Sequence, residues 1–163
     1  MSWYSRRFFL MSGLALLAGC GFAPAYGPGG AGTALMGRVV VEAPDTRASY
    51  LLTQEIETRL GRPANPRYAL IPVVTLNTQA MAINRNNVAS RFNLLGTVAY
   101  SLRDLETGVI VTTGEVTSFT GYSATGTTVA VQAAERDAEA RLMAILADQV
   151  LTRLLAADLP QPE

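Results

Sequence analysis

From Phe92 to Arg103 the chain alternates. Phe92, Leu94, Gly96, Val98, Tyr100 and Leu102 occupy every second position, with Asn93, Leu95, Thr97, Ala99, Ser101 and Arg103 between them. A period of two puts the first set on one side of a pleated strand, so one side faces a core. The run "DLETG" at 104–108 reads as a short hairpin loop with a terminal Gly. Residues 109–122 then return antiparallel, with Gly114 and Gly121 marking bulges or a strand end. Upstream, residues 68–81 form another strand, which Pro72 demotes toward a sheet edge or a bulge, and "NRNN" at 84–87 reads as a loop. Residues 36–43, "MGRVVVEA", are short and β-branched, so a strand.

Two segments change period. Pro44-Asp45 stops the first strand and supplies an N-cap for a helix to Leu60, with Leu52, Ile56 and Leu60 on one stripe and Gly61 as terminator. After the linker "SATGT", Thr128 is the expected N-cap of a long helix to about Ala157, striped by Leu142, Leu146, Val150 and Leu154 with Met143 beside them. The order βαβββα predicts a two-layer α+β domain: a four-stranded mixed sheet with two helices packed on one face, which buries both stripes.

The N-terminus has a different pattern. Residues 1–7 carry two arginines and no acid, and "FFLMSGLALLA" at 8–18 is nearly all apolar. That is the layout of a secretory signal. A membrane-spanning helix needs about 20 apolar residues, and this run stops at Gly19-Cys20-Gly21. Leu17-Ala18-Gly19-Cys20 resembles the lipobox of bacterial lipoproteins, whose cysteine receives a diacylglycerol thioether and becomes the first mature residue. Lipid attachment is thus expected at Cys20, the only cysteine, and two or three acyl chains anchor stably where one does not. Gly21 after the cysteine, where Asp would retain the protein at the inner membrane, matches the pattern that sends such lipoproteins to the outer membrane, lipid-anchored on the periplasmic side. "SRRFFL" at 5–10 reads either as a twin-arginine export motif or as an ordinary signal with two arginines. The expected organisation is a cleaved signal over 1–19, a lipidated flexible tether over 20–35, one α/β domain over 36–158 and a short tail over 159–163.

Composition removes most chemistry. The 163 residues contain no His and no Lys; all 13 basic residues are Arg, and two lie in the signal, leaving 11 against 13 acids. A net charge of about −2 gives no general attraction to nucleic acid. Without His, Lys or a free Cys, the nucleophilic triads, Schiff bases and usual zinc sites are excluded. Carboxylates remain, but Glu55/Glu57 and Glu135/Asp137/Glu139 sit in charged helix faces, with Asp137 and Arg141 at the i, i+4 spacing. An envelope enzyme using paired acids would need them to converge in a cleft. The expectation is no enzyme, no metal and no cofactor.

The lipobox continuing as "CGFAPAY", the strand "RFNLLGTVAYSLRD" followed by "TGVIVTTG", and the closing helix "AAERDAEARLMAILADQVLTRL" together resemble the LptE family of lipopolysaccharide-assembly lipoproteins, in its alphaproteobacterial form. The resemblance implies an α/β domain anchored in the inner leaflet of the outer membrane, lodged in the LptD β-barrel, assisting its assembly and the insertion of lipopolysaccharide, without catalysis. A pilotin-like lipoprotein serving another outer-membrane barrel or secretin is the alternative.

For such a carrier, phosphate would be held by guanidinium groups in a loop or at a strand end. Arg85 and Arg91 have no acid between them, whereas Arg103 and Arg136 have acidic neighbours in Asp104 and Glu135. They read either as lipopolysaccharide-binding or as solvated loop arginines. Leu151 and Leu155 lie off the main stripe of the long helix and either pack on the first helix or contact the barrel wall.

Overall fold

The structure, a computed structural model, describes Gly27, residues 30–83, residues 89–157 and Leu159. Its elements are α1 (Ala31–Leu35), β1 (Val39–Val41), α2 (Arg47–Leu60), β2 (Tyr68–Ile83), β3 (Ala89–Asp104), β4 (Ile110–Ser123) and α3 (Thr128–Leu155). The strands form one sheet in chain order, β1-β2-β3-β4. β1 pairs parallel with β2, while β2–β3 and β3–β4 are antiparallel. This is the expected two-layer α+β arrangement, with α1 as an addition. That five-residue helix falls within the stretch read as tether and buries Leu35 fully.

The alternation of β3 decides the packing. Leu94, Val98, Tyr100 and Leu102 are buried on the helix-facing side, joined by Tyr68 and Leu70 of β2 and Val116 of β4. Against them α3 sets Leu142, Met143, Leu146, Val150 and Leu154, all fully buried, and α2 sets Leu52, Ile56 and Leu60. Burial of such side chains, at about 25 cal/mol per Å² of apolar surface, is the main stabilising term. Thr120 ties β4 to α3 by donating to the Ala138 carbonyl at 2.9 Å. The two helices run parallel, linked at their surface by Arg47–Glu139 at 3.1 Å and Arg59–Asp148 at 2.9 Å.

Pro72 has a specific place. The Leu70 carbonyl accepts from the Glu42 amide at 2.9 Å, which orients Leu70, and therefore residue 72 two positions on, toward β1. Proline has no amide hydrogen to donate there. The parallel ladder spans only Val39–Val41 against Tyr68–Leu70. Beyond it β2 is an edge, and Pro72 pairs in register with Tyr100 on the other side without a bulge.

Other boundaries shift. The N-cap of α2 is Thr46 rather than Asp45: its hydroxyl accepts from the Ser49 amide at 3.1 Å, and Ser49 Oγ accepts from the Thr46 amide at 2.9 Å. A reciprocal pair satisfies two free amides, which one Asp cannot do; Asp45 instead accepts from Ser49 Oγ at 3.2 Å. The N-cap of α3 is Thr127, accepting from Ala130 at 3.3 Å. Gly61 ends α2 with φ 77°, donating to the Glu57 carbonyl at 2.9 Å. Neither Gly114 nor Gly121 is a bulge, since each stays in register, with Tyr100 and Asn93. The β3–β4 register shifts between Leu102 and Arg103. The 84–87 loop lies outside the described residues.

Candidate functional site

The helix layer covers only part of the sheet. The edge strand β2 runs on without cover: Leu76 to Met81 are exposed on both of its faces, whereas β3 beside it still packs under α3, with Leu94 buried and Gly96 close to Leu142 and Leu146. A strand normally buries one of its faces, so a stretch exposed on both is an unpartnered arm. At the base of the arm on the helix side, Phe92 stacks on Tyr122 with ring centroids 5.5 Å apart.

Arg91 sits at this arm, paired in register with Ala82 on one side and Ser123 on the other. It is exposed and has no carboxylate partner among the described residues. Arg85 lies outside the described residues. The same holds for Cys20.

The sheet face turned away from the helices is open. Val73 and Phe119 are 61% and 63% exposed on it. Between them crosses a row of threonines, Thr75, Thr97 and Thr117, in register across three strands. Thr97 and Thr117 approach at 3.4 Å through their hydroxyls. Threonine suits a wet pleated surface, and two large apolar side chains on such a surface are available to a partner.

Leu151 is 6% exposed and belongs to the core, with Leu155 packed against it. Their burial takes Leu151 out of the surface and leaves Val129, 77% exposed, and Ile145, 40% exposed, as large apolar outward positions of α3.

At the other end of the sheet a cleft of about 800 Å³ is lined by Arg67, Asp104, Thr107, Val109, Ile110, Val111 and Leu159. Asp104 and Arg103 are adjacent in sequence but project from opposite faces of β3, as strand geometry requires. Asp104 therefore meets Arg67, at 3.6 Å, and accepts from the amides of Glu106 at 2.8 Å and Thr107 at 3.1 Å. The Thr107 amide first, then the Glu106 amide and the Arg67 guanidinium, hold its carboxyl below the usual range, against the opposing effect of burial. The guanidinium of Arg67 also lies 5.5 Å from the Tyr68 ring centroid. Sequence reasoning passed over this pair; "DLETG", with Asp first in the turn, was the available signal.

The acids stay dispersed. Asp137 pairs with Arg141 on the outer face of α3 and Glu139 with Arg47. Among the described residues no group of three or more His, Cys, Asp or Glu converges on a point that could hold a metal ion.

A family model described as "LptE: Lipopolysaccharide-assembly" matches residues 36–154. The chain belongs to the LptE family. Membership makes it a lipopolysaccharide-assembly lipoprotein of the outer membrane, on the periplasmic side, and not an enzyme. It also implies a β-barrel partner. No curated protein sequence matches this LptE-family chain. Solved structures do. A lipoprotein from Caulobacter crescentus CB15 is 25% identical, with a TM-score of 0.62 over 77% of this chain and 93% of that one. A minor lipoprotein from Acinetobacter baumannii is 18% identical, with a TM-score of 0.57 over 78% and 96%. Rare lipoprotein B from Shewanella oneidensis is 10% identical, with a TM-score of 0.56 over 73% and 92%. The last two establish the fold of this LptE-family domain.

Proposed function

We propose that the chain is anchored through acyl chains on Cys20 and works with an LptD-type β-barrel, assisting the barrel's assembly and the insertion of lipopolysaccharide into the outer leaflet. The carrying observation is the family match over residues 36–154. The fold supports it with two surfaces that the domain leaves unused, the bare far stretch of β2 and the open sheet face with Val73 and Phe119. An arm exposed on both faces can enter a cavity, and the lumen of a barrel is one. Arg91 on that arm, together with Arg85, supplies guanidinium groups for lipid phosphate.

Purification of the detergent-solubilised protein from its own envelope tests the reading. Co-elution of an LptD-type barrel is the expected result. Recovery of a secretin or an unrelated barrel in its place favours the pilotin-like alternative. Anchoring is tested separately: metabolic labelling with a palmitate analogue should mark the wild type and not Cys20→Ala, and equal labelling of both excludes that site.

A further inference from the structure

Leu70 sets the direction of the backbone groups along β2. Its carbonyl accepts from the Glu42 amide at 2.9 Å, so the backbone of Leu70 turns to β1. Alternation then sends the N–H and C=O groups of Ile71, Val73, Thr75, Asn77 and Gln79 to β3, and those of Pro72, Val74, Leu76, Thr78 and Ala80 outward. There β1 no longer covers them, since the parallel pairing ends with Val41 beside Leu70. From Pro72 to Ala80, a stretch in unbroken register with β3, the outward amides and carbonyls have no backbone partner among the described residues.

Sheet edges are ordinarily guarded. Charged side chains, prolines, bulges or sheer shortness keep another chain from adding to them. The opposite edge, β4, carries Glu115 near its middle and glycines at 114 and 121. By contrast β2 has no charged residue from Tyr68 to Ile83. Pro72 guards its first outward position, and register shifts beyond Ala80 guard its last. Between these guards Val74, Leu76 and Thr78 offer free donors and acceptors. Only an extended chain satisfies such an alternating row.

The head of this edge opens on a cleft. About 460 Å³ is lined by Glu42, Asp45, Thr46 and Ser49 from the β1–α2 connection and by Pro72 and Val74 from the edge itself. Neither Glu42 nor Asp45 has a cationic partner among the described residues, and the neighbouring Arg47 is taken by Glu139 at 3.1 Å. A second copy of this chain, paired antiparallel about Leu76, would bring the uncharged Ala80 of its own β2 to Pro72 and leave both carboxylates without a counter-ion. The charge therefore fits a different chain, with a basic residue at one end of its strand.

We propose that the β2 edge accepts a strand from the barrel partner. An extended segment of that partner hydrogen-bonds to Val74, Leu76 and Thr78 and places an Arg or Lys in the cleft beside Glu42 and Asp45. The inference rests on the proposed barrel partnership and specifies its mode of contact. Main-chain bonds supply affinity, while the cleft fixes register, because a slip of one residue would turn the cation to the other face of the sheet.

Hydrogen exchange reads the edge directly. In the free protein, residues 20–163 carrying Cys20→Ser, the outward amides of Val74, Leu76 and Thr78 should exchange faster than the inward amides of Val73, Thr75 and Asn77. In the co-purified complex the outward set should slow by about tenfold or more. Thr78→Pro removes one outward donor and no bond to β3, so it should keep a cooperative melt and recover roughly tenfold less barrel. The control Thr113→Pro, whose amide points out from the β4 edge, should recover barrel like the parent. Glu42→Gln/Asp45→Asn should weaken recovery by about fivefold at most, and less as salt rises. Unchanged exchange at the outward amides in a complex that does co-elute, or equal loss of barrel with Thr113→Pro, overturns the edge contact and leaves the partnership standing. If no barrel co-elutes with the parent, the partnership fails and this contact with it. Dimerisation of the free protein in sedimentation velocity, abolished by Thr78→Pro, would give the edge to a second copy and overturn the proposal as well.

Discussion

Tyr100 lies across Gly114. The two face each other on β3 and β4, and a Cβ on Gly114 would stand 2.5 Å from the Tyr100 hydroxyl oxygen and 2.7 Å from Cζ. The phenol is 6% exposed and its pKa is raised by burial. The glycine is therefore the floor on which a buried ring rests, and this fit replaces the bulge that the sequence led us to expect.

Gly114→Ala should destabilise the domain by about 1–3 kcal/mol, the usual cost of overpacking. Tyr100→Leu removes the obstructing ring atoms, so adding it to Gly114→Ala should cost less than the two single changes summed. A double-mutant cycle by thermal or urea denaturation checks this; strict additivity would show that the ring and the glycine are not in conflict.

Leu151 and Ile145 separate packing from partner contact on α3. Leu151 is buried, so Leu151→Ala should cost about 2–5 kcal/mol. Ile145 is 40% exposed, and Ile145→Ala should change stability by no more than about 0.5 kcal/mol. Equal losses at both positions in a denaturant series would contradict this placement.

Asp104 couples stability to pH. Its folded carboxyl is held below the ordinary value, so it stabilises the fold above the unfolded-state pKa of about 3.9 and loses that contribution as pH falls through the lower folded value. Asp104→Asn should melt lower than wild type at pH 7, and the gap should narrow below about pH 4. A gap that stays constant down to acid pH would assign the loss to the turn hydrogen bonds alone.

Arg91 is exposed and free of ion pairs among the described residues, so Arg91→Ala should leave the melting temperature within experimental error. Combined with Arg85→Ala it should weaken lipopolysaccharide binding, most visibly at low ionic strength, while barrel co-purification persists. Unchanged lipid affinity in the double variant would remove both residues from the lipid path.

The sequence by itself determined what is local. Alternation over residues 92–103 specified the buried side of β3, and the fourfold stripe from Leu142 to Leu154 specified the buried face of α3, because side-chain direction follows directly from backbone period. The missing His and Lys by themselves exclude most catalytic chemistry. Tertiary structure decided what depends on neighbours. Pro72 is tolerated because β1 ends three residues into the parallel pairing, which only the sheet reveals. Asp104 pairs with Arg67 rather than with Arg103, because adjacent strand residues point to opposite faces while residue 67 arrives on the neighbouring strand's approach.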